Sequence, residues 1–148
     1  MIRPYHPSDK QELLKILRLN IPQYFAPSEE ADFIEYLGKH AEHYFVVEEN
    51  QQIIGCGGIN FWENGTVARI SWDIIHSNHQ GKGIGKKLTQ FRINEIKKNA
   101  EVKKIVVRTS QLAFQFYTKS GFKLVKIEKD YWAKGFDLYE MEMELKKS

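Results

Sequence analysis

The sequence predicts a mixed α/β (α+β) domain with the element order β-α-α-β-β-β-α-β-α-β-β, and three observations carry that prediction. Asn64-Gly65, the strongest hairpin signal in the chain, joins two runs of strand-forming residues. Three glycines at alternate positions, Gly81, Gly83 and Gly85, run straight into a segment with helical apolar spacing. The last strand alternates almost strictly, with Tyr139, Met141, Met143 and Leu145 on one face and Glu140, Glu142 and Glu144 on the other.

The elements follow in order. Ile2 to Tyr5 reads as a short strand, and Ser8-Asp9-Lys10-Gln11 as a capping box opening a helix with Leu13, Leu14 and Leu17 on its buried side. Two prolines within Asn20 to Pro27 break that helix. Ser28 is placed to cap a second one, carrying Phe33, Ile34 and Leu37 and ending near Gly38. Tyr44 to Glu48 and Ile53 to Phe61 flank an Asn50-Gln51-Gln52 turn, and Val67 to Ile75 forms the next strand. There Ile70, Trp72 and Ile74 share a core face while Arg69, Ser71 and Asp73 share the other, and a polar face in mid-sheet suggests a groove. Ile84, Leu88 and Phe91 mark one side of the helix after the glycines. A strand over Lys104 to Arg108, a short helix over Leu112 to Lys119 closed by Gly121, and a terminal hairpin complete the order.

Composition narrows the function. A chain of 148 residues is long enough for one domain with its own core, and 42% hydrophobic with 28% charged residues is ordinary for a globular protein. No apolar run is long enough to span a bilayer and no signal-peptide core is evident, so the expected location is cytoplasmic, with no membrane partner. Cys56 stands alone in an apolar strand, which leaves no disulfide framework; His76 and His79 lack a third ligand at helix or strand spacing, so no metal is expected. The net charge of +3 is mild, but Lys82, Lys86 and Lys87 flank the glycines.

Glycines running into a helix imply amides closing around a phosphate. The P-loop pattern fails, because Gln80 stands where its first glycine belongs and Lys87 where its hydroxyl belongs. The dinucleotide fingerprint fails at Lys86, and the loop follows an antiparallel meander rather than opening a parallel sheet. What fits is Q-x-x-G-x-G, here Gln80-Gly81-Lys82-Gly83-Ile84-Gly85. Downstream stands Ser110-x-x-Ala113-x-x-Phe116-Tyr117-x-x-x-Gly121-Phe122. Together, in this order, the two motifs resemble the GNAT superfamily of N-acetyltransferases, with Ser110 replacing the commoner asparagine.

The resemblance implies a single GNAT-like domain over residues 1–148, with a mixed, mostly antiparallel sheet of about seven strands flanked by about four helices. It implies acetyl-CoA as cosubstrate and direct attack by an acceptor amine, a small molecule or a peptide N-terminus. Cofactor contacts fall on Ile74 and Ile75 at the strand end, on Gln80, Gly81, Lys82, Gly83, Ile84, Gly85, Lys86 and Lys87, and on Ser110 and Tyr117. Tyr117 stands where the family places its general acid; a phenol of ordinary pKa about 10 is protonated at neutral pH. The alternative role is packing beside Phe116 in the helix–sheet core.

The family's base does not carry over, since Arg69 and Ile105 occupy the positions that hold it in relatives. Strand alternation makes Asp73 the first candidate for base or ammonium anchor, against a plain surface role, with Glu63 and His76 behind it. Arg69 suits an acceptor's carboxylate, or a neighbouring strand. Asn20 to Ala26 and Tyr131 to Met141 resemble acceptor loops of protein N-terminal acetyltransferases, and Tyr24, Phe25, Tyr131 and Trp132 would line an acceptor pocket with an aromatic face for a cation. The alternatives are a non-catalytic acyl-CoA sensor and a nucleic-acid module. The second is suggested by a pI of about 8.9 but lacks a recognition helix or RNA-binding motif, so no nucleic-acid partner is expected. A homodimer is compatible with the terminal hairpin.

Overall fold

The computed structural model describes residues 1–145. Its strands are β1 (Ile2–Pro4), β2 (Tyr44–Glu49), β3 (Gln52–Trp62), β4 (Val67–Ile75), β5 (Lys104–Thr109), β6 (Lys123–Ala133) and β7 (Phe136–Glu144). Its α-helices are α1 (Lys10–Leu19), α2 (Glu29–Lys39), α3 (Ile84–Lys97) and α4 (Phe114–Lys119). The seven strands lie in the order β1-β2-β3-β4-β5-β7-β6. β4 and β5 run parallel, while β1–β2, β2–β3, β5–β7 and β6–β7 are antiparallel. Element order and count agree with the reading from sequence, and boundaries agree to within two residues.

The chain divides into two compact units, one of Met1–Gly58 with Trp72–Leu88 and one of Ile59–Ser71 with Thr89–Ser148. In the first, Leu13, Leu14, Ile16 and Leu17 of α1 and Phe33, Tyr36 and Leu37 of α2 pack with Tyr44, Val46, Ile53, Cys56 and Ile74. Full burial of each such side chain contributes about 1.5–3 kcal/mol. Cys56 is wholly buried there. In the second, Ile105, Val107 and Met141 are buried, Phe114 meets the Tyr139 ring at 4.7 Å, and the Gly121 turn comes up to Met143. The alternation of β7 is therefore met: Met141 faces inward, whereas Glu140 and Glu142 lie opposite Arg108 and Val106 of β5.

Two helix starts differ from expectation. The box at the first helix sits earlier than Ser8: the His6 ring accepts from the Ser8 N–H, and the Asp9 carboxylate accepts from the His6 N–H at 2.9 Å, around a single 3₁₀ turn over Pro7–Asp9. Asp9 wins this role because Arg3 also holds it, with two hydrogen bonds of 3.0 Å. Ser28 makes no capping bond; instead the Glu29 carboxylate turns back to accept from the Ala26 N–H at 2.7 Å. The Glu29 carboxylate thus ties the helix start to the chain before it, and does not cap the orphan amides of the first turn.

Candidate functional site

β4 ends by pairing with β3, the His76 N–H donating to the Ile54 carbonyl at 2.9 Å. The chain then makes one 3₁₀ turn, Ser77–His79, whose start is capped by the His76 ring. Gln80 follows, and its side chain is committed inward. Its amide donates to Asn20 Oδ1 at 2.7 Å and to the Ile75 carbonyl at 3.3 Å. Asn20, only 2% exposed, itself donates to the Ile75 carbonyl at 3.0 Å and to Ile16 at 2.9 Å. These bonds fasten the glycine turn to the strand end, so Gln80 acts on the loop through its side chain and on any ligand only through its position. Asn20 was not singled out from sequence. The signal was there: it continues the α1 stripe of Leu13 and Leu17, where a polar residue needs a buried partner.

Gly81 and Gly83 have φ of 79° and 83°, the left-handed region that an L side chain enters at a cost. A Cβ built on either meets nothing within 4 Å. The glycines are thus required by backbone conformation, and the space a side chain would fill is left open to a ligand. The first helical bond of α3 runs from the Lys87 N–H to the Gly83 carbonyl, leaving the preceding amides without intrahelical acceptors. Lys82, Lys86 and Lys87 are exposed around them. Ile84 turns the other way, packing with Leu88, Val47 and Ile54 and, beside Ile75, over Gly55. Gly85, half-buried, follows it in the first turn of α3. Open glycines, orphan amides at a positive helix end and three free-reaching ammonium groups fit a pyrophosphate.

In the same unit the end of β4 is strained. Trp72 has φ of 51°, left-handed backbone on a bulky residue inside a strand. It is held by its surroundings: the Tyr44 hydroxyl donates to the Trp72 carbonyl at 2.7 Å, and the indole packs on Phe33 at 5.0 Å and stacks on Phe25 at 6.1 Å. Burial holds the Tyr44 phenol well above its ordinary pKa. Alternation along β4 is consequently interrupted between Arg69 and Asp73, and the shared face expected for these two does not follow. Trp72 is half-buried rather than core, while Ile70 and Ile74 are buried. Asp73, half-buried, is near enough to Tyr44 to help raise its pKa. Tyr24 is half-buried, and its N–H donates to the Asn20 carbonyl at 2.9 Å.

The second unit holds the remaining candidates. Ser110, 9% exposed, accepts from the Leu112 N–H at 3.2 Å and starts the turn into α4, retaining its hydroxyl proton as a donor. Tyr117 is 5% exposed and meets the rings of Phe116 and Phe122 edge-on at 5.0 and 6.0 Å, so it does pack as the structural alternative foresaw. Arg69 lies with its guanidinium carbon 4.6 Å from the Trp62 ring centre. Burial, then the charge of Arg108, lowers the Arg69 pKa. At Tyr131 and Trp132 one cation is already in place: the Arg108 guanidinium carbon lies 4.9 and 5.7 Å from the two ring centres. Arg108 was missed because nothing around it in the chain marks it; only pairing of β5 with β7 gives it neighbours. Among the described residues, no three His, Cys, Asp or Glu side chains gather as a metal would require.

Comparison with known proteins agrees with this geometry. Residues 19–145 match the model of the acetyltransferase (GNAT) domain. The chain is 30% identical to an N-alpha-acetyltransferase of Sulfurisphaera tokodaii, over 95% of its own length and 90% of that protein. Its fold superposes on Ard1 from Thermoplasma volcanium with a TM-score of 0.83 at 17% identity, covering 99% of this chain and 98% of the other. An aminoglycoside 6'-N-acetyltransferase complexed with coenzyme A gives 0.81 at 15% identity, covering 100% and 99%. Two motifs in the expected order, seven strands in the expected arrangement and a matching family model converge: the chain belongs to the GNAT family and is an N-acetyltransferase.

Proposed function

We propose that the protein works as one domain over residues 1–148, transferring an acetyl group from acetyl-CoA to a primary amine, either a small molecule or a peptide N-terminus. The observation that supports this most is the glycine turn, with its open left-handed glycines and Gln80 and Asn20 anchoring it to the Ile75 carbonyl. Acetyl-CoA supplies an acyl group already activated as a thioester. Gly81, Gly83, Ile84, Gly85 and Lys86 offer their amides to its pyrophosphate, and Lys82, Lys86 and Lys87 add charge. Backbone groups at Ile74 and Ile75 orient the acyl end, and Ser110 donates its hydroxyl proton to the cofactor.

Tyr117 gives its Oη proton to the departing sulfur, and Asp73 takes a proton from the incoming ammonium, directly or through a water. For acceptor binding we assign Tyr24 and Phe25 of one loop and, independently, Tyr131 and Trp132 of the terminal hairpin. A thiol-release assay tests this reading. Acetyl-CoA is offered short peptides of varied N-terminus, amino acids, polyamines and aminoglycosides, with products confirmed by mass. Acetylated amine from any of them supports it, and Asp73→Asn then lowers the rate at neutral pH. Failure to bind acetyl-CoA at all overturns it.

A further inference from the structure

The polar face of β4, β5 and β7 sets three cations, Arg69, Lys104 and Arg108, beside three carboxylates, Glu140, Glu142 and Glu144, but pairs them unevenly. Arg69 lies opposite Val106 in the parallel pairing, and Arg108 stands two residues further on. Residues opposite each other, and those two apart, share a face, so both guanidiniums rise from the same side of neighbouring strands. α4 and the Gly121 turn pack on the other side, against Tyr139 and Met143. Lys104, on the charged side, is already satisfied by Glu142 at 2.6 Å. Glu144, exposed and opposite Lys104, lies at the far end of the row, so Glu140 is the carboxylate beside the two guanidiniums. The Arg108 Nε stands 3.4 Å from Glu140 Oε1, close enough for attraction but without hydrogen-bond geometry.

Arg69 Nε and Arg108 Nε are both buried, and neither has a hydrogen-bond acceptor among the described residues. Leaving a buried charged donor unpaired is costly, and setting two cations side by side adds to that cost. Yet the pair is held in place. Trp62 underlies Arg69; Tyr131 and Trp132 underlie Arg108, whose Nη2 also donates to the Tyr131 hydroxyl at 2.7 Å. Two planar forks, fixed by rings and short of acceptors, are a receptor for a planar anion. One negative charge from a ligand, with Glu140, balances the two arginines; a phosphate dianion would overshoot.

We infer that Arg69 and Arg108 together form a carboxylate-binding site, and that the acceptor is a primary amine bearing that carboxylate. The second half rests on the function proposed above; the first stands without it. The carboxylate has two possible sources, the α-carboxylate of a free amino acid or an acidic side chain close to a peptide N-terminus.

The first experiment reads the arginines directly. Propionate is titrated into the wild-type protein at constant ionic strength, and the ¹H–¹⁵N resonances of the arginine Nε–H groups are followed. Two of these resonances shift together and saturate, and both responses vanish in Arg69→Gln. Shifts no larger than chloride produces overturn the site, whether or not the variant folds. The second experiment compares kcat/KM for matched acceptors: free amino acids against their α-amides, and peptides with Asp or Glu near the N-terminus against Asn or Gln. In one arm the acid is preferred about 10- to 100-fold, mostly through KM. The preference falls to near unity in Arg69→Gln and Arg108→Gln and recovers in part in Arg108→Lys, which keeps the charge without the fork. Equal kcat/KM across all pairs in a protein that binds and uses acetyl-CoA overturns the acceptor assignment. If acetyl-CoA does not bind, the propionate titration still decides whether the site exists.

Discussion

The glycine turn after β4 and the charged face of β4, β5 and β7 are two ways of building a recognition site. In the turn the working groups are backbone amides. They are exposed by left-handed glycines, and the side chains nearby serve as anchors: Gln80 and Asn20 to the Ile75 carbonyl, Ile84 to the apolar cluster. On the charged face the backbone is spent on strand pairing, and the working groups are side chains from three strands, held by aromatic rings. The first kind of site depends less on side-chain charge than on the open space over its glycines. The second kind is the reverse.

The largest effect expected is at Tyr117, a side chain asked to do chemistry. Tyr117→Phe removes only Oη and keeps the edge-on contacts with Phe116 and Phe122. It should lower kcat by about 10²–10⁴-fold, with the KM for acetyl-CoA little changed. A variant with full kcat would reduce Tyr117 to a packing residue and leave the leaving sulfur to be protonated by water. Next comes the turn itself. Gly83→Val forces a β-branched residue to φ of 83° and places methyl groups in the open space above the amides. Strain alone costs roughly 1–2 kcal/mol; the KM for acetyl-CoA should rise about 10- to 100-fold as the amides are covered. Normal affinity in a folded Gly83→Val protein would mean that the turn does not bind through its backbone.

A smaller effect, on stability, concerns what keeps the end of β4 in its strained form. Tyr44→Phe strips the buried hydroxyl donor from the carbonyl of half-buried Trp72, which should cost about 1–3 kcal/mol in urea unfolding. The same residue has a pH signature. Because burial raises the Tyr44 pKa in the folded state, the folded protein keeps that proton when the unfolded chain has lost it. Stability is therefore unaffected below about pH 10 and falls as pH rises beyond it. Tyr44→Phe should flatten that alkaline slope; an unchanged slope assigns it to other groups.

The contrast between the two sites also explains what could be read from sequence. The turn is contiguous, and its conformation is written in residue types that tolerate it, so Gln80 to Gly85 were legible at once. Val67 to Ile75 was found to the residue, because apolar alternation marks a strand whatever happens inside it. The left-handed Trp72 was not legible: no residue type announces that a tryptophan will be held at φ of 51° by a tyrosine on another strand. Without it, alternation put Asp73 on the face of Arg69. Arg108 and Glu140 were invisible for a related reason. Each is an ordinary charged residue in an alternating strand, and only the pairing of β5 with β7 sets them opposite each other. The early capping residue is a milder case, in which Arg3 and Asp9 decide between two nearby boxes.

The smallest expected effect is the sharpest test of the backbone reading, because it predicts near-indifference where lysines crowd a phosphate loop. Lys82, Lys86 and Lys87 are exposed, so each attracts a phosphate through water and salt rather than through a fixed contact. Replacing all three by glutamine should raise the KM for acetyl-CoA only about two- to fivefold at low ionic strength, or roughly 0.1–0.3 kcal/mol for each lysine. In 0.5 M salt the variant and the parent should converge, since screening has already removed what the substitutions remove. If instead the triple variant loses affinity by a hundredfold and the loss persists in salt, the lysines are making direct, ordered contacts. The turn would then be a side-chain site like the charged face, and its glycines would serve only to let the chain bend.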